Sequence, residues 1–473
     1  MAASTEEVLA RLSQQLPVHV NSTDALVAGM GKAAEVIDRK RKRSGGHDEG
    51  HRKPILEPLR GADLADLAIT PWELLGTLAR ASTLARQGRG RGLAEHWQSL
   101  KYCQALASNA TGHVALTEEG QSPEQSYRAM QARELGRAFG LAVAERAVRS
   151  RFPDRLISTV DAEVILLSGF ARAGSRPTLG LRPRPDYFIE AWRPGEPSSV
   201  FLVTVNGNHQ VATKRTGKAD RSAFLQLARA SERAEYLHLG EWNTTPCLLM
   251  STELLAREGI TVNALQAPGP GLLPVRSAEG RASADVRSVS ERNLPYTDAV
   301  QLPPADGKKS KERFHDAFFV PRKHLTWFGQ VLARTGAAGQ LAFAGAGRDI
   351  AQYLTPKQGR KHYEQRTFAG SSSVHDASHK FGPAVFVGTD QVFRLGGIRV
   401  EAFSGMAAEL YELLVKGEVE QYRRRAYELR ATWPSSVTVP EWGPVSFRDD
   451  GTVMALRILL GADTEVGQRS RAA

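Results

Sequence analysis

Cysteine is nearly absent from this chain: Cys103 and Cys247 are the only two in 473 residues, and they stand far apart. That excludes a disulfide-stapled scaffold and a four-thiolate zinc site, and it suits a reducing compartment, so a cytoplasmic location is expected. Long apolar runs are absent as well. No stretch of eighteen apolar residues occurs, and Met1 to Val20 carries acidic residues where an export signal needs a basic region ahead of an apolar core, so neither export by that route nor a membrane partner is expected. No Gly-Lys-Ser/Thr phosphate loop and no Gly-x-Ser-x-Gly elbow are present, which argues against an NTPase and an α/β-hydrolase. The glycines of "FAGAGRDI" follow a strand-like "QLAFA", but Ile350 stands where a dinucleotide fingerprint needs its third glycine, and its bulk would block close helix packing.

Lysine is scarce beside arginine, roughly one to three, within a net charge of +11. This balance permits binding to phosphates without specifying it, because arginine- and alanine-rich usage also follows from a GC-rich genome. Two pairs of histidines four residues apart, His47/His51 and His375/His379, have the spacing of a zinc helix. Their polar, Gly-containing or Ser-rich settings do not read as helices, so no metal site is expected there.

What is present is a chain long enough for several cores, 41% hydrophobic, in four stretches. Residues 1–120 read as a helical N-terminal region, with Val8, Leu9 and Leu12 and then Leu26, Val27, Met30, Ala34 and Ile37 at helical spacing. Its "DRKRKRSGGHDEGHRKP", residues 38–54, reads as a basic linker. "TPWELL" supplies a Thr70 cap and Pro71 at the first helical position. Residues 121–266 read as an α/β core. A helix opens near Ser122 and carries Met130, Leu135, Ala138, Phe139, Ala142 and Val143 on one stripe; strand signals follow in "EVILLSGF", "PDYFIEAW" and "SVFLVTVNG". A helix "SAFLQLARASERAEYLHL" then precedes the strands "TPCLLMSTEL" and "ITVNALQAP". Residues 267–313 read as an irregular connection, and 314–473 as an α+β C-terminal region. The predicted class is α/β, a mixed central sheet flanked by helices.

A helix with a glutamate, a strand opened by Pro-Asp, a hairpin partner ending in Glu-x-Lys-Gly, and a helix with a glutamine define the layout that residues 122–266 resemble, that of the PD-(D/E)XK nuclease superfamily. The resemblance implies a restriction-endonuclease-like core. In that family the aspartate and the Glu of Glu-x-Lys hold Mg²⁺ and the lysine positions the attacking water. On this chain Asp186 takes the aspartate's place, Gln226 the glutamine's, and Glu134 or Glu145 the helix acid's. The central pair departs: Thr204 and Asn206 stand where Glu and Lys should, with Gly207 retained.

Two neutral side chains remove an anionic ligand and the cation together, so the reading is a catalytically degenerate protein that binds nucleic acid or a protein partner. The resemblance also suggests a phage-defence or mobile-element setting. No cofactor is expected in that reading. Two alternatives stay open: an active Mg²⁺-dependent nuclease in which Glu163, Glu190 or His209 has moved into the site, and an assembly subunit without nucleic-acid binding. For the first reading, His209, Lys214, Arg215, Lys218 and Arg221 in "NHQVATKRTGKADR" are the candidate contacts to a DNA or RNA backbone.

Overall fold

The computed structural model describes residues 4–44, 52–64, 67–84, 95–121, 124–166, 184–210, 217–241, 245–255, 259–275, 297–301, 314–355, 358–364, 374–433 and 441–459. The chain is mixed α/β, with helices packed against several separate sheets. Three helices open it: α1 (Thr5–Ser13), α2 (Asp24–Arg43) and α3 (Pro71–Ser82). Reciprocal hydrogen bonds between Ser4 and Glu7 cap α1, and the same device between Thr70 and Glu73, with Pro71 next, starts α3. α2 runs through the first part of the predicted linker to Arg43, and Arg52 beyond it pairs with Asp38 at 2.7 Å and Glu232 at 2.6 Å. Both ends of that segment are therefore tied to folded elements rather than freely solvated.

Helix α4 (Gln125–Arg151) leads into β1 (Leu156–Asp161), β2 (Tyr187–Trp192), β3 (Ser198–Gln210), helix α5 (Gly217–Glu235), β4 (Cys247–Leu255) and β5 (Gly259–Ala267). β1, β2 and β3 form an antiparallel meander, β4 lies parallel to β3 after the α5 crossover, and β5 returns antiparallel to β4. His19–Asn21 adds a parallel strand beyond β5, so the N-terminal region contributes directly to this eight-stranded sheet. "EVILLSGF" does not form a strand in its described part. Ala162–Leu166 is a short helix, started by the Asp161 carboxylate accepting from Val164 N at 3.1 Å, and the preceding "LISTVD" is the strand instead.

Alternation along β3 splits its two faces. Val203 and Val205 belong to the core under α4, with Phe139, Leu135 and Val143, while Leu202 belongs to the core under α5 and α2, with Leu227, Ala228 and Leu26. α4 meets β3 almost backbone to backbone. A Cβ on Gly207 would lie 1.7 Å from the Ala132 carbonyl oxygen, and one on Gly136 would lie 2.5 Å from Gly207 Cα. The Gly after Asn206 is thus a packing requirement, because no side chain fits between these two elements.

The predicted helix "SAFLQLARASERAEYLHL" stops at Glu235, and Leu237–Gly240 forms a strand parallel to Phe314–Pro321 in a separate three-stranded sheet. α6 (Leu325–Phe343) includes "QLAF", which is helical and not the strand a dinucleotide motif would need. The C-terminal region is an antiparallel sheet in the order β6 (Val374–Phe381), β7 (Ala384–Leu395), β8 (Ile398–Ala407), β10 (Thr452–Ile458), β9 (Val445–Phe447). α6, α7 (Ala408–Val415) and α8 (Val419–Leu429) cover it with Leu341, Leu410, Leu414 and Tyr422. Buried polar contacts bind it to the rest of the fold: Trp72 Nε1 of α3 donates to Met454 O at 2.9 Å, and Arg423 of α8 pairs with Glu190 of β2 in the first sheet.

Candidate functional site

Asp186 immediately precedes β2, and its main chain is locked to β3 through Asp186 N donating to Val203 O at 2.9 Å. Both carboxylate oxygens are engaged. Oδ2 accepts from Val205 N at 2.8 Å, and Oδ1 accepts from Arg233 Nη1 at 2.9 Å. Arg233 Nη2 also donates to Asn206 Oδ1 at 3.1 Å and to Val205 O at 3.4 Å. One guanidinium from α5 therefore bridges the start of β2 and the end of β3, with Arg233 and Asp186 each about a quarter exposed, at 24% and 29%. A planar fork of donors suits this bridge, since it can bond a carboxylate and an amide oxygen together.

Gln226 lies seven residues before Arg233 on α5, two turns away on the same face. Its main-chain oxygen accepts from Asn206 Nδ2 at 3.5 Å, and its Oε1 accepts from Ser251 Oγ on β4 at 2.7 Å. Thr204, fully buried, is oriented with Asn206 toward α5 by the strand period, and among the described residues its Oγ1 has no hydrogen-bond partner. Asp186, Asn206, Gln226 and Thr204 are thus gathered on one side of the sheet.

The two glutamates lie elsewhere. Glu134 on α4 accepts from Tyr102 OH at 2.6 Å and pairs with Lys101 at 2.7 Å. Glu145, three turns on, accepts from Thr159 Oγ1 at 2.6 Å and pairs with Arg448. Burial raises the Glu145 pKa, but Arg448 and Thr159 outweigh it and hold the carboxyl below its usual range. Arg137 of α4 lies over the Tyr187 ring at 5.9 Å from its centroid, and its pKa is raised chiefly by Tyr187 against its burial, with Asp161, Asp186 and Glu134 adding. Asp161 is pushed up to about 6, mainly by burial.

The relocated ligands of the active-enzyme alternative are also engaged. Glu163 pairs with Arg184 at 2.6 Å. Glu190 holds Arg423 through two hydrogen bonds at 3.0 and 3.2 Å, with side chains 2% and 5% exposed. His209 donates Nε2–H to Gly120 O at 3.3 Å, and its pKa is lowered first by burial. Of the predicted phosphate contacts, Arg221 is exposed on α5, Lys218 lies within α5, and Lys214 and Arg215 fall outside the described residues.

Sequence reasoning missed Arg233, although its two-turn spacing from Gln226 was a readable signal. It also missed a cluster in the C-terminal sheet. His379 on β6, Asp390 on β7 and Glu401 on β8 bring one ligand atom each within 4.8 Å of one another. His379 and Glu401 approach to 3.3 Å, but Arg457 already clasps Glu401 with contacts at 2.9, 3.1 and 3.2 Å. In register His375 stands opposite Asp390, His379 opposite Phe386 and Glu401 opposite Val392, so His379 reaches these acids diagonally across the sheet and not as their direct cross-strand partner. Comparison with family models, with curated proteins and with solved structures finds no match to this chain.

Proposed function

We propose that residues 121–266 are a restriction-endonuclease-like core that no longer cleaves, within a protein that binds the backbone of nucleic acid. The observation that carries the loss of catalysis is Arg233, whose guanidinium bonds Asp186 and Asn206 together in the space where the resembled family holds its metal. The donor set does not fit Mg²⁺. That ion wants carboxylates and dehydrates reluctantly, whereas Asp186 is the one acid in the network and both its oxygens are taken by Val205 N–H and Arg233. A fixed cation replaces the exchangeable one, so the geometry is held without a hydrolytic centre.

Support for the fold reading is the order helix, antiparallel meander, crossover helix, parallel strand, with Asp186 just before β2 and Asn206 on the adjoining β3. Support for nucleic acid is the net charge of +11 and the basic residues at the β3-to-α5 connection and the start of α5. The active-nuclease alternative loses ground because Glu163 and Glu190 are each neutralised by an arginine of their own.

The test is a pair of measurements on the full chain. Incubation with Mg²⁺ or Mn²⁺ should leave duplex and single-stranded DNA and RNA uncut. Fluorescence titration at several salt concentrations should show binding that weakens with salt, with Lys214, Arg215, Lys218 and Arg221 contributing a log-log slope of at most about −4. Cleavage that disappears in Asp186→Ala would overturn the catalytic reading. Absence of binding at low salt would favour the assembly-subunit reading instead.

A further inference from the structure

Away from the Asp186 network, the side chains of His379, Asp390 and Glu401 converge from β6, β7 and β8. Strand register puts all three on one face of the C-terminal sheet, and Ala377, Gly388 and Gly405 stand between them on that face, so the diagonal path of the imidazole meets only small residues. Aromatic neighbours hold the ring. Phe403 meets it edge-on at 4.6 Å between centroids, and Trp442 at 5.0 Å.

The polar atoms that converge here are left unsatisfied by the protein. His379 Nε2 and Asp390 Oδ1 are both shielded from solvent and have no hydrogen-bond partner among the described residues, because the 3.3 Å approach of His379 Nε2 to Glu401 Oε1 is not aligned as a hydrogen bond. Asp390 is also crowded by a like charge. Burial first and then Glu401 raise its pKa, while His375 and His379 lower it. Arg457 bonds Glu401 and, among the described residues, neither Asp390 nor His379. Two carboxylates and an imidazole nitrogen therefore face one another in an arrangement that a cation between them would satisfy.

We infer that His379, Asp390 and Glu401 bind a divalent transition ion of the zinc class. Their ligand atoms all lie within 4.8 Å of one another, so some point is no farther than about 2.8 Å from each, and small side-chain rotations bring this to the roughly 2.0–2.2 Å of zinc bonds to nitrogen and oxygen. A dehydrated ion needs no water-sized cavity, which accords with ligand atoms that solvent does not reach. One nitrogen beside two oxygens favours zinc over Mg²⁺ or Ca²⁺, which take oxygen ligands. Arg457 is compatible with the ion, because a carboxylate accepts at several lone pairs and metal-bound carboxylates are commonly oriented by such a donor. The ligands come from three strands, so the site owes nothing to a helical spacing of His375 and His379. A water completes the coordination, and the ion enters at the edge where the His379 side chain is 17% exposed.

The test is calorimetry of Zn²⁺ binding to the full chain after treatment with a chelator, alongside Mg²⁺, with thermal unfolding as a second readout. Wild type should bind one zinc ion and unfold at a higher temperature in its presence. His379→Gln and Asp390→Asn should each weaken binding roughly tenfold or more, since even the outer partners of a metal site are worth that much, and each should lose the zinc-dependent rise in unfolding temperature. Asp390 is the less buried of the two acids, so its variant serves alone should His379→Gln fail to fold. The proposal is overturned by no zinc binding tighter than about 100 μM, by unchanged zinc affinity in a folded variant of either residue, which would place the ion on other histidines, or by Mg²⁺ displacing zinc at equal concentration.

Discussion

Replacing Arg423 with methionine tests how the C-terminal region is held to the central sheet. Arg423 extends from α8 and clasps Glu190 of β2 through Nη1 to Oε2 at 3.0 Å and Nη2 to Oε1 at 3.2 Å, and its guanidinium lies 3.7 Å above the centroid of Trp192. With side chains 5% and 2% exposed, the pair is shielded from water, and its removal is not softened by solvation. Methionine keeps much of the stem's packing but takes away the cation, leaving a buried carboxylate without its clasp, which costs about 3–5 kcal/mol. The stacking on Trp192 accounts for about 1–2 kcal/mol within that figure.

Glu190→Gln should cost a similar amount by stranding the arginine. Glu190→Leu combined with Arg423→Met should restore most of the loss, since an apolar replacement of a buried pair is neutral or better by about 1–4 kcal/mol. The assay is urea denaturation followed by far-UV circular dichroism and tryptophan fluorescence, with the coupling taken from the full set of variants. A loss below about 1 kcal/mol in Arg423→Met would mean that the pair behaves as a surface ion pair, and the account of a buried clasp would be wrong.

Gly207→Ala should destabilise the chain by about 3 kcal/mol or more, because the added Cβ would sit 1.7 Å from a backbone oxygen that cannot rotate away; Gly195→Ala, where φ is 78° but no atom lies within 4 Å, should cost only about 1 kcal/mol of backbone strain. Thermal unfolding of both variants separates steric from conformational cost. Asp161→Asn should gain on wild type as pH rises. The folded carboxyl, raised from 3.8 to about 6, binds more protons than the unfolded one across that window, so wild-type stability falls through it while the asparagine variant's does not. The gap at pH 7 is of order 1–2 kcal/mol after allowing for partial exposure, and pH-dependent denaturation reads it directly. Joining Arg233→Ala to Thr204→Glu and Asn206→Lys should create Mg²⁺ affinity detectable by calorimetry; the same affinity in Thr204→Glu/Asn206→Lys with Arg233 intact would show that the guanidinium does not occupy the metal's space.

Local chemistry made a large part of this architecture legible. Thr70-Pro71-Glu73 starts a helix because cap, proline and returning glutamate satisfy the first N–H groups within a few residues. The period-two pattern of "FLVTVN" puts Thr204 and Asn206 on one face of β3, and two glycines of positive φ, Gly396 and Gly397, make the two-residue turn between β7 and β8. Composition alone predicted that no helix would be long and apolar enough to cross a membrane, and none among the described residues is.

What the sequence could not contain is which distant charge each buried charge would meet. Arg233 reaches Asp186 across 47 positions, Arg423 reaches Glu190 across 233, and Arg448 reaches Glu145 across 303. A sequence shows an ionisable residue but not its partner, and the partner decides whether a carboxylate is a metal ligand, a clasp or a strained acid. Glu134 and Glu145 have the right residue type on the expected helix, yet Lys101 and Arg448 claim them only once the chain has folded.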